Sequence, residues 1–419
     1  MGPGVAGYLV VIGAAFAVSF VAMPLLGRLA WRTGAVDRPD PRRVHTRPTP
    51  VLGGFGILAA VLVGILAAWL GGDFAPVFRT IAPPLGVVLA TTFVYAVGQL
   101  DDLRELSAPA KMAGIVLAGS TLSIAGVSIL FFRIPFLGLF GLSPDLSALI
   151  TVLWVAGMVN AINFIDGLDG LAAGIVAIAA GSFLLYGEHL DNVGAIDQAN
   201  VGPLVAAAVL GACLGYLPWN FHPAKIFMGD AGALQLGLLL AVVTIAIGGN
   251  SDVQVTGQTF FFFAPLFLPL LILGVPILDT AWAIMRRARS RTGLTIADKG
   301  HLHHRLMRLG HGQRRVVLIL WMWTGLLSAG VLFPILTERG VSLIPVVVVG
   351  LAALLYTLFA PGWRTVRRTG DGQGEGGDGG GEADRGRDRD AALAAAGSQV
   401  QEGSSVGTEG GGLRGARRG

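Results

Sequence analysis

Charge is what this 419-residue sequence has least of: Asp, Glu, Lys and Arg make up 13% of it, about half the share in soluble domains. With 53% apolar residues and 62 glycines, a water-soluble globule is excluded. Cysteine is nearly absent. Cys213 stands alone inside an apolar stretch, which rules out a disulfide framework or a cysteine-based metal site within one chain. No Lys or Arg precedes Arg28, so the first apolar stretch lacks the positive leader region of a signal peptide and is expected to remain as a helix. The net charge of +4 would suit a nucleic acid only if the basic residues formed one face. They lie instead in loops between apolar runs, so no nucleic-acid partner is expected.

What is present is a series of apolar runs of about 17 to 25 residues, each long enough to cross a hydrocarbon layer of roughly 30 Å as a helix. They fall near residues 4–26, 51–71, 80–100, 108–126, 147–163, 170–187, 201–220, 231–248, 260–281, 315–335 and 342–362. The expected fold class is therefore all-α, a polytopic membrane protein with about eleven transmembrane helices. Residues 127–146 (with FFRIPFLGLFGL) are apolar enough for a re-entrant or interfacial element. Eighteen Lys and Arg of the apolar body fall on one side of this arrangement, and only Arg79, Arg133 and Arg339 on the other. The positive-inside rule then predicts an outside N-terminus, a cytoplasmic C-terminus and location in the inner (plasma) membrane. Two domains are expected: an integral membrane catalytic domain over residues 1–363, and a disordered Gly-rich charged cytoplasmic tail over 364–419. The tail holds nine basic and nine acidic residues and almost nothing to bury.

Acidic groups at the inner ends of apolar helices are costly unless they have a task. Asp101 and Asp102 adjoin at the end of the third run, with Lys111 one short loop later. Adjacent carboxylates repel unless a cation or proton sits between them, so a Mg²⁺ site or a proton-transfer pair is the functional reading, against a solvated helix end. In NAINFIDGLDGLAAG, Asn163, Asp166 and Asp169 recur every three residues, a spacing that would align polar groups along a helix end. A simple Asp-Gly turn accounts for one of the two Asp-Gly steps but not for the upstream asparagines. In NFHPAKIFMGDAGALQLG, Phe227 could stack on a base or merely anchor at the interface, Lys225 could pair with a phosphate, and Asp230 could hold a metal. The longest polar loop sets His301, His303 and His304 beside Arg305. Its positive charges would repel zinc but suit a polyanion such as a diphosphate, while an amphipathic interfacial helix accounts for the arginines better than the histidines. Asp101, Asp166 and Asp230 are 65 and 64 residues apart, about two spans each, so all three clusters return to one membrane face.

These motifs, with VDRPDPRRVHTRPTPVLGG at 36–54, resemble the polyprenyl-phosphate N-acetylhexosamine-1-phosphate transferase family over residues 1 to about 310. The HLHH loop resembles the undecaprenyl- or decaprenyl-phosphate GlcNAc-1-phosphate transferase branch. The resemblance implies a Mg²⁺-dependent (or Mn²⁺-dependent) enzyme that transfers GlcNAc-1-phosphate from UDP-GlcNAc to a polyprenyl phosphate in the lipid bilayer. Polyprenyl-diphosphate-GlcNAc and UMP are the products, in the first membrane step of a cell-envelope glycan pathway. It implies Asp230 as metal ligand and Asp101 and Asp102 as the essential acidic pair. Asn163, Asp166, Asp169 and Phe227 fall to the nucleotide, and Lys111, His301, His303, His304 and Arg305 to the sugar diphosphate. Ala233 departs from the family's frequent serine and puts one hydroxyl contact in doubt. Phospho-MurNAc-pentapeptide transferase is the alternative within the enzyme class, and an ion-coupled transporter the alternative outside it, although no internal repeat is visible. Oligomeric state is left open, with a homodimer as one option.

Overall fold

The computed structural model describes residues 3–38, 47–134, 138–248, 312–337 and 349–350. Its helices are α1 (Val5–Thr33), α2 (Gly53–Gly71), α3 (Ala75–Phe78), α4 (Ala82–Arg104), α5 (Ala108–Ile124), α6 (Pro144–Ile165), α7 (Leu171–Asn192), α8 (Gly202–Asn220), α9 (Gly229–Gly248) and α10 (Gln313–Thr337). Seven of them (α1, α2, α4, α6, α7, α8 and α9) are long and apolar enough to cross a membrane, and α5 is a shorter apolar helix. The protein is therefore a mostly helical, multi-pass membrane protein. The first eight expected runs each coincide with a helix, and the run near 315–335 coincides with α10. The runs near 260–281 and 342–362, the histidine loop and the charged tail lie outside the described residues.

The structure differs from the sequence expectation in three places. Between α5 and α6, β3 (Phe131–Ile134) and β4 (Gly138–Gly141) pair as an antiparallel hairpin, with Phe131 opposite Gly141. A second, minimal pair joins β1 (Val36–Asp37) to β2 (Thr49–Pro50). Finally, α1 continues to Thr33 and α4 to Arg104, so basic residues at the last turn extend each helix past its apolar run. Lys and Arg are good helix formers and their charges complement the C-terminal end of the helix dipole.

α9 is the central helix: every residue from Ala231 to Ile247 is buried. It packs against α4, α6, α8, α2 and α7, while α1 and α2 close around α8. Backbones approach closely because small residues stand at the crossings, the usual means of helix association where lipid removes the hydrophobic drive. A Cβ at Gly98 of α4 would lie 2.5 Å from the Ala231 Cα, and one at Gly54 of α2 would lie 2.7 Å from the Gly232 nitrogen. The two contacts bring α2 and α4 onto the first turn of α9, which carries Asp230.

Candidate active site

The acidic residues meet at the N-terminal end of α9. Lys111, near the start of α5, forms ion pairs with Asp101 of α4, at 2.8 Å, and with Asp230 of α9. Asn163 of α6 donates its side-chain amide to the other Asp230 oxygen at 3.0 Å. Three helices, α4, α5 and α6, thus each place a side chain around Asp230 of α9. The remaining Asp101 oxygen accepts the Leu106 N–H at 2.7 Å, just past the end of α4.

Asp101 and Asp102 are not equivalent. Successive helical residues point about 100° apart, so the pair cannot face one ligand in the same way. While Asp101 meets Lys111, Asp102 accepts the backbone N–H groups of Asp230, at 2.8 Å, and Ala231, at 3.1 Å. It acts as an N-cap supplied by another helix, satisfying amides that have no partner within α9. Gly229 makes room for it: its φ of +67° belongs to the left-handed region, and any Cβ would run into the Asp102 carboxylate.

The three-residue series in the second motif is only partly helical. Asn163 lies in the last turn of α6 and Asp166 caps its end, but Asp169 sits in the turn that follows. It faces the α8–α9 loop, where its Oδ2 meets His222 Nδ1 at 2.7 Å and accepts the Ala224 N–H at 3.1 Å. Asp166 stays with the cluster. Burial, followed by the charges of Asp230, Asp102 and Asp169, pushes its carboxyl up to about 7. Phe227 is held through its backbone, donating its N–H to the Pro50 carbonyl at 2.8 Å and accepting the Gly53 N–H at 2.9 Å. His301, His303, His304 and Arg305 fall outside the described residues.

Sequence reasoning missed the residues that fasten these loops together. Asn220, buried at the end of α8, accepts the Gly170 N–H at 2.8 Å and donates to the Ile226 carbonyl at 3.0 Å. Tyr216 donates to the same carbonyl at 3.2 Å, and Arg314 of α10 donates to the His222 carbonyl at 2.8 Å. The His222–Pro223 peptide bond is cis. A polar Asn at the end of an apolar run was the only available hint, because none of these partners is near it in sequence.

Among the described residues no group of three or more His, Cys, Asp or Glu is arranged to hold a metal ion. The donor chemistry nevertheless suits a hard cation. Asp101 and Asp230 share one ammonium group, the charge of Asp230 is felt at Asp102 and Asp166, and Mg²⁺ commonly takes only one or two carboxylates, completing its shell with water and phosphate oxygens.

A family profile described as "Glycosyl transferase family 4" matches residues 84–248, the stretch from α4 through α9 that builds this cluster. The chain is 37% identical over 364 residues to the decaprenyl-phosphate N-acetylglucosaminephosphotransferase of Mycolicibacterium smegmatis, covering 85% of this chain and 88% of that one. The chain belongs to the polyprenyl-phosphate N-acetylhexosamine-1-phosphate transferase family. Within it, a probable undecaprenyl-phosphate N-acetylglucosaminyl 1-phosphate transferase of Bacillus subtilis is 36% identical over 74% of this chain and 80% of its own. The phospho-N-acetylmuramoyl-pentapeptide-transferase of Desulforudis audaxviator stands further off, at 33% over 75% of this chain and 93% of its own. Kinship thus favours the GlcNAc-1-phosphate branch of the transferase family and sets the transporter reading aside.

Proposed function

We propose that this transferase moves GlcNAc-1-phosphate from UDP-GlcNAc to an undecaprenyl or decaprenyl phosphate, giving polyprenyl-diphosphate-GlcNAc and UMP. Kinship with enzymes named for that reaction supports the substrates, and the Asp101–Lys111–Asp230–Asn163 group is the observation that carries the site. We further propose eleven spans, an outside N-terminus, a cytoplasmic C-terminus and a site facing the cytoplasm of the plasma membrane. The bias of eighteen basic residues against three supports that orientation.

In the reaction an oxygen of the lipid phosphate attacks the β-phosphorus of UDP-GlcNAc. A new P–O–P bond forms, the bond to the α-phosphate oxygen breaks, and UMP leaves with that oxygen. Lys111 is a cation between two carboxylates and can exchange one of them for a phosphate oxygen, keeping charge compensated as the bond shifts. Asp101, hydrogen-bonded at both oxygens, holds Lys111 in position and lies where the acceptor phosphate can be oriented. Asp102 secures the first turn of α9 and through it the direction of Asp230. Asn163 fixes the second Asp230 oxygen. Asp230, with Asp101 beside it, would hold Mg²⁺, which when bound neutralises diphosphate charge. Asp166, Asp169 and Phe227 line the nucleotide side, and the histidine loop with Arg305 serves the sugar diphosphate.

The test is transfer of radiolabel from UDP-GlcNAc to a polyprenyl phosphate by the purified protein, with UDP-MurNAc-pentapeptide as competitor. Lipid-linked GlcNAc formed only with a divalent cation, and unaffected by the pentapeptide substrate, is the expected outcome. Efficient use of the pentapeptide substrate would move the enzyme to the other branch.

A further inference from the structure

The end of the bundle opposite Asp230 carries a polar cavity that the transfer chemistry does not use. α7 leaves the turn that holds Asp169 and runs for 22 residues to Asn192. At 1.5 Å per residue its far end lies about 33 Å away, a membrane's width from the acidic cluster. There Tyr8 of α1, Phe74 at the start of α3, Asp191 of α7, and Asp197 and Gln198 of the α7–α8 loop line a cavity. Its volume of about 10 Å³ admits one water-sized body.

Two side chains of this lining carry an oxygen without a partner among the described residues. Asp191 Oδ1 has no surface open to solvent and accepts no hydrogen bond. Tyr8 is only 6% exposed, its ring set edge-on against Phe74 with centroids 5.2 Å apart, and no described residue takes its hydroxyl. A carboxylate oxygen buried without a hydrogen bond is costly. Further negative charge adds to that cost: Asp197 acts on Asp191, and Asp191 and Glu188 act on Tyr8. The Asp73 carboxylate lies against the same end of α1, where a Cβ at Gly7 would stand 3.1 Å from its Oδ2. The rim is also fixed. Asn200 donates to the Ala246 carbonyl at 2.6 Å and accepts the Gly202 N–H at 2.8 Å, while Asp197 Oδ1 accepts the Ala199 N–H at 2.9 Å, which leaves Asp197 Oδ2 available.

We propose that this cavity binds one hard divalent cation, Ca²⁺ by its ligand chemistry, through Asp191, Asp197 and the Tyr8 hydroxyl, and that the ion ties the start of α1 to the α7–α8 loop. The lining offers carboxylate, phenol and amide oxygens with neither sulfur nor imidazole, the donor set of hard cations. Ca²⁺ accepts irregular sets of about six to eight oxygens completed by carbonyls and water, whereas Mg²⁺ demands a near-ideal octahedron. Ligands drawn from separate segments of chain suit the first. This ion would be distinct from any cation at Asp230, and the proposal does not depend on the transferase reading.

Ca²⁺ itself is the probe, on the full-length protein in detergent. Thermal unfolding and Ca²⁺ calorimetry are measured for wild type, Asp191→Asn, Asp197→Asn, Tyr8→Phe and Asp230→Asn. Relative to chelator, about 10 mM Ca²⁺ should raise the wild-type midpoint by about 2–4 °C, the response of a site with Kd on the order of 10⁻³ M. Asp230→Asn should keep that rise. Asp191→Asn and Asp197→Asn should lose it, binding Ca²⁺ about tenfold more weakly or worse, and Tyr8→Phe should bind roughly fivefold more weakly through loss of one neutral oxygen. In chelator Asp191→Asn should unfold at or above the wild-type midpoint, because the amide removes a buried charge. A wild-type Ca²⁺ response in Asp191→Asn, or its disappearance in Asp230→Asn, would overturn the proposal. So would an Asp191→Asn protein that unfolds below wild type by the same margin in chelator and in Ca²⁺, since the chain itself would then balance the carboxylate.

Discussion

Replacing Lys111 with Met tests the centre of the site, because the change keeps an unbranched stem of similar length and removes only the charge. Lys111 makes two charge-assisted contacts, to Asp101 and Asp230, with side chains 18%, 11% and 37% exposed respectively. Such contacts contribute about 1.5–3 kcal/mol each. Water at the Asp230 end screens part of that, so a loss of about 2–4 kcal/mol is expected in place of the simple sum. The assay is thermal unfolding in detergent, with chelator and again with added Mg²⁺. With chelator, Lys111→Met should unfold well below wild type, since two carboxylates then face each other without a cation. Mg²⁺ should return more of the lost stability to the variant than it adds to wild type, because the ammonium no longer competes for the same oxygens. Lys111→Arg, which keeps the charge, should stay near wild type in stability, while Lys111→Met should lose turnover even where Mg²⁺ restores the fold. A Lys111→Met protein that unfolds at the wild-type midpoint in chelator and responds to Mg²⁺ no differently would refute the reasoning.

Asn220→Ala leaves the buried Gly170 amide without its partner and takes one of two donors from the Ile226 carbonyl, which keeps Tyr216, so a loss of about 1–3 kcal/mol is expected in the same unfolding assay, with weaker UMP binding. Asp166 is pushed up to about 7 from an ordinary value of 3.8, so between those two pH values the folded protein binds a proton that the unfolded chain does not. In the absence of divalent cations, stability relative to an Asp166→Asn variant should therefore fall as pH rises from about 4 to 7 and level off above, and a difference that grew with pH would contradict the assignment. For the histidine loop, His303→Ala and Arg305→Ala should weaken use of UDP-GlcNAc far more than binding of UMP, with Arg305→Ala costing about 1.5–3 kcal/mol. Equal weakening of both ligands would remove the sugar-diphosphate assignment.

Much of this architecture is already written in local chemistry. A run of some twenty apolar residues has few alternatives to a membrane helix, because the bilayer leaves no other way to satisfy its backbone. The recurrence of Asp101, Asp166 and Asp230 at the ends of such runs therefore predicts one shared face, and the structure brings Asp101 and Asp166 each within electrostatic reach of Asp230. The FFRIPFLGLFGL stretch shows where the local signal stops: apolar residues without a clear period suit a buried helix or a strand, and its pairing into a hairpin is set by the two strands meeting each other. The division of labour between the twin aspartates was likewise invisible, since only the approach of α4 to α9, through Gly98, sends one to Lys111 and the other to the amides of Asp230 and Ala231. Three-residue spacing suggested Asp169 in line with Asn163 and Asp166. The helix ends at Ile165, however, and the partner of Asp169 is His222, 53 residues away. Hydrophobicity and charge act over a few residues, so local sequence already marks the nine apolar runs that coincide with described helices and the kinds of group gathered at the N-terminal end of α9. Which carboxylate holds a cation, which caps a helix and which orients a histidine was decided only by tertiary packing, because each of those roles belongs to a partner on another helix.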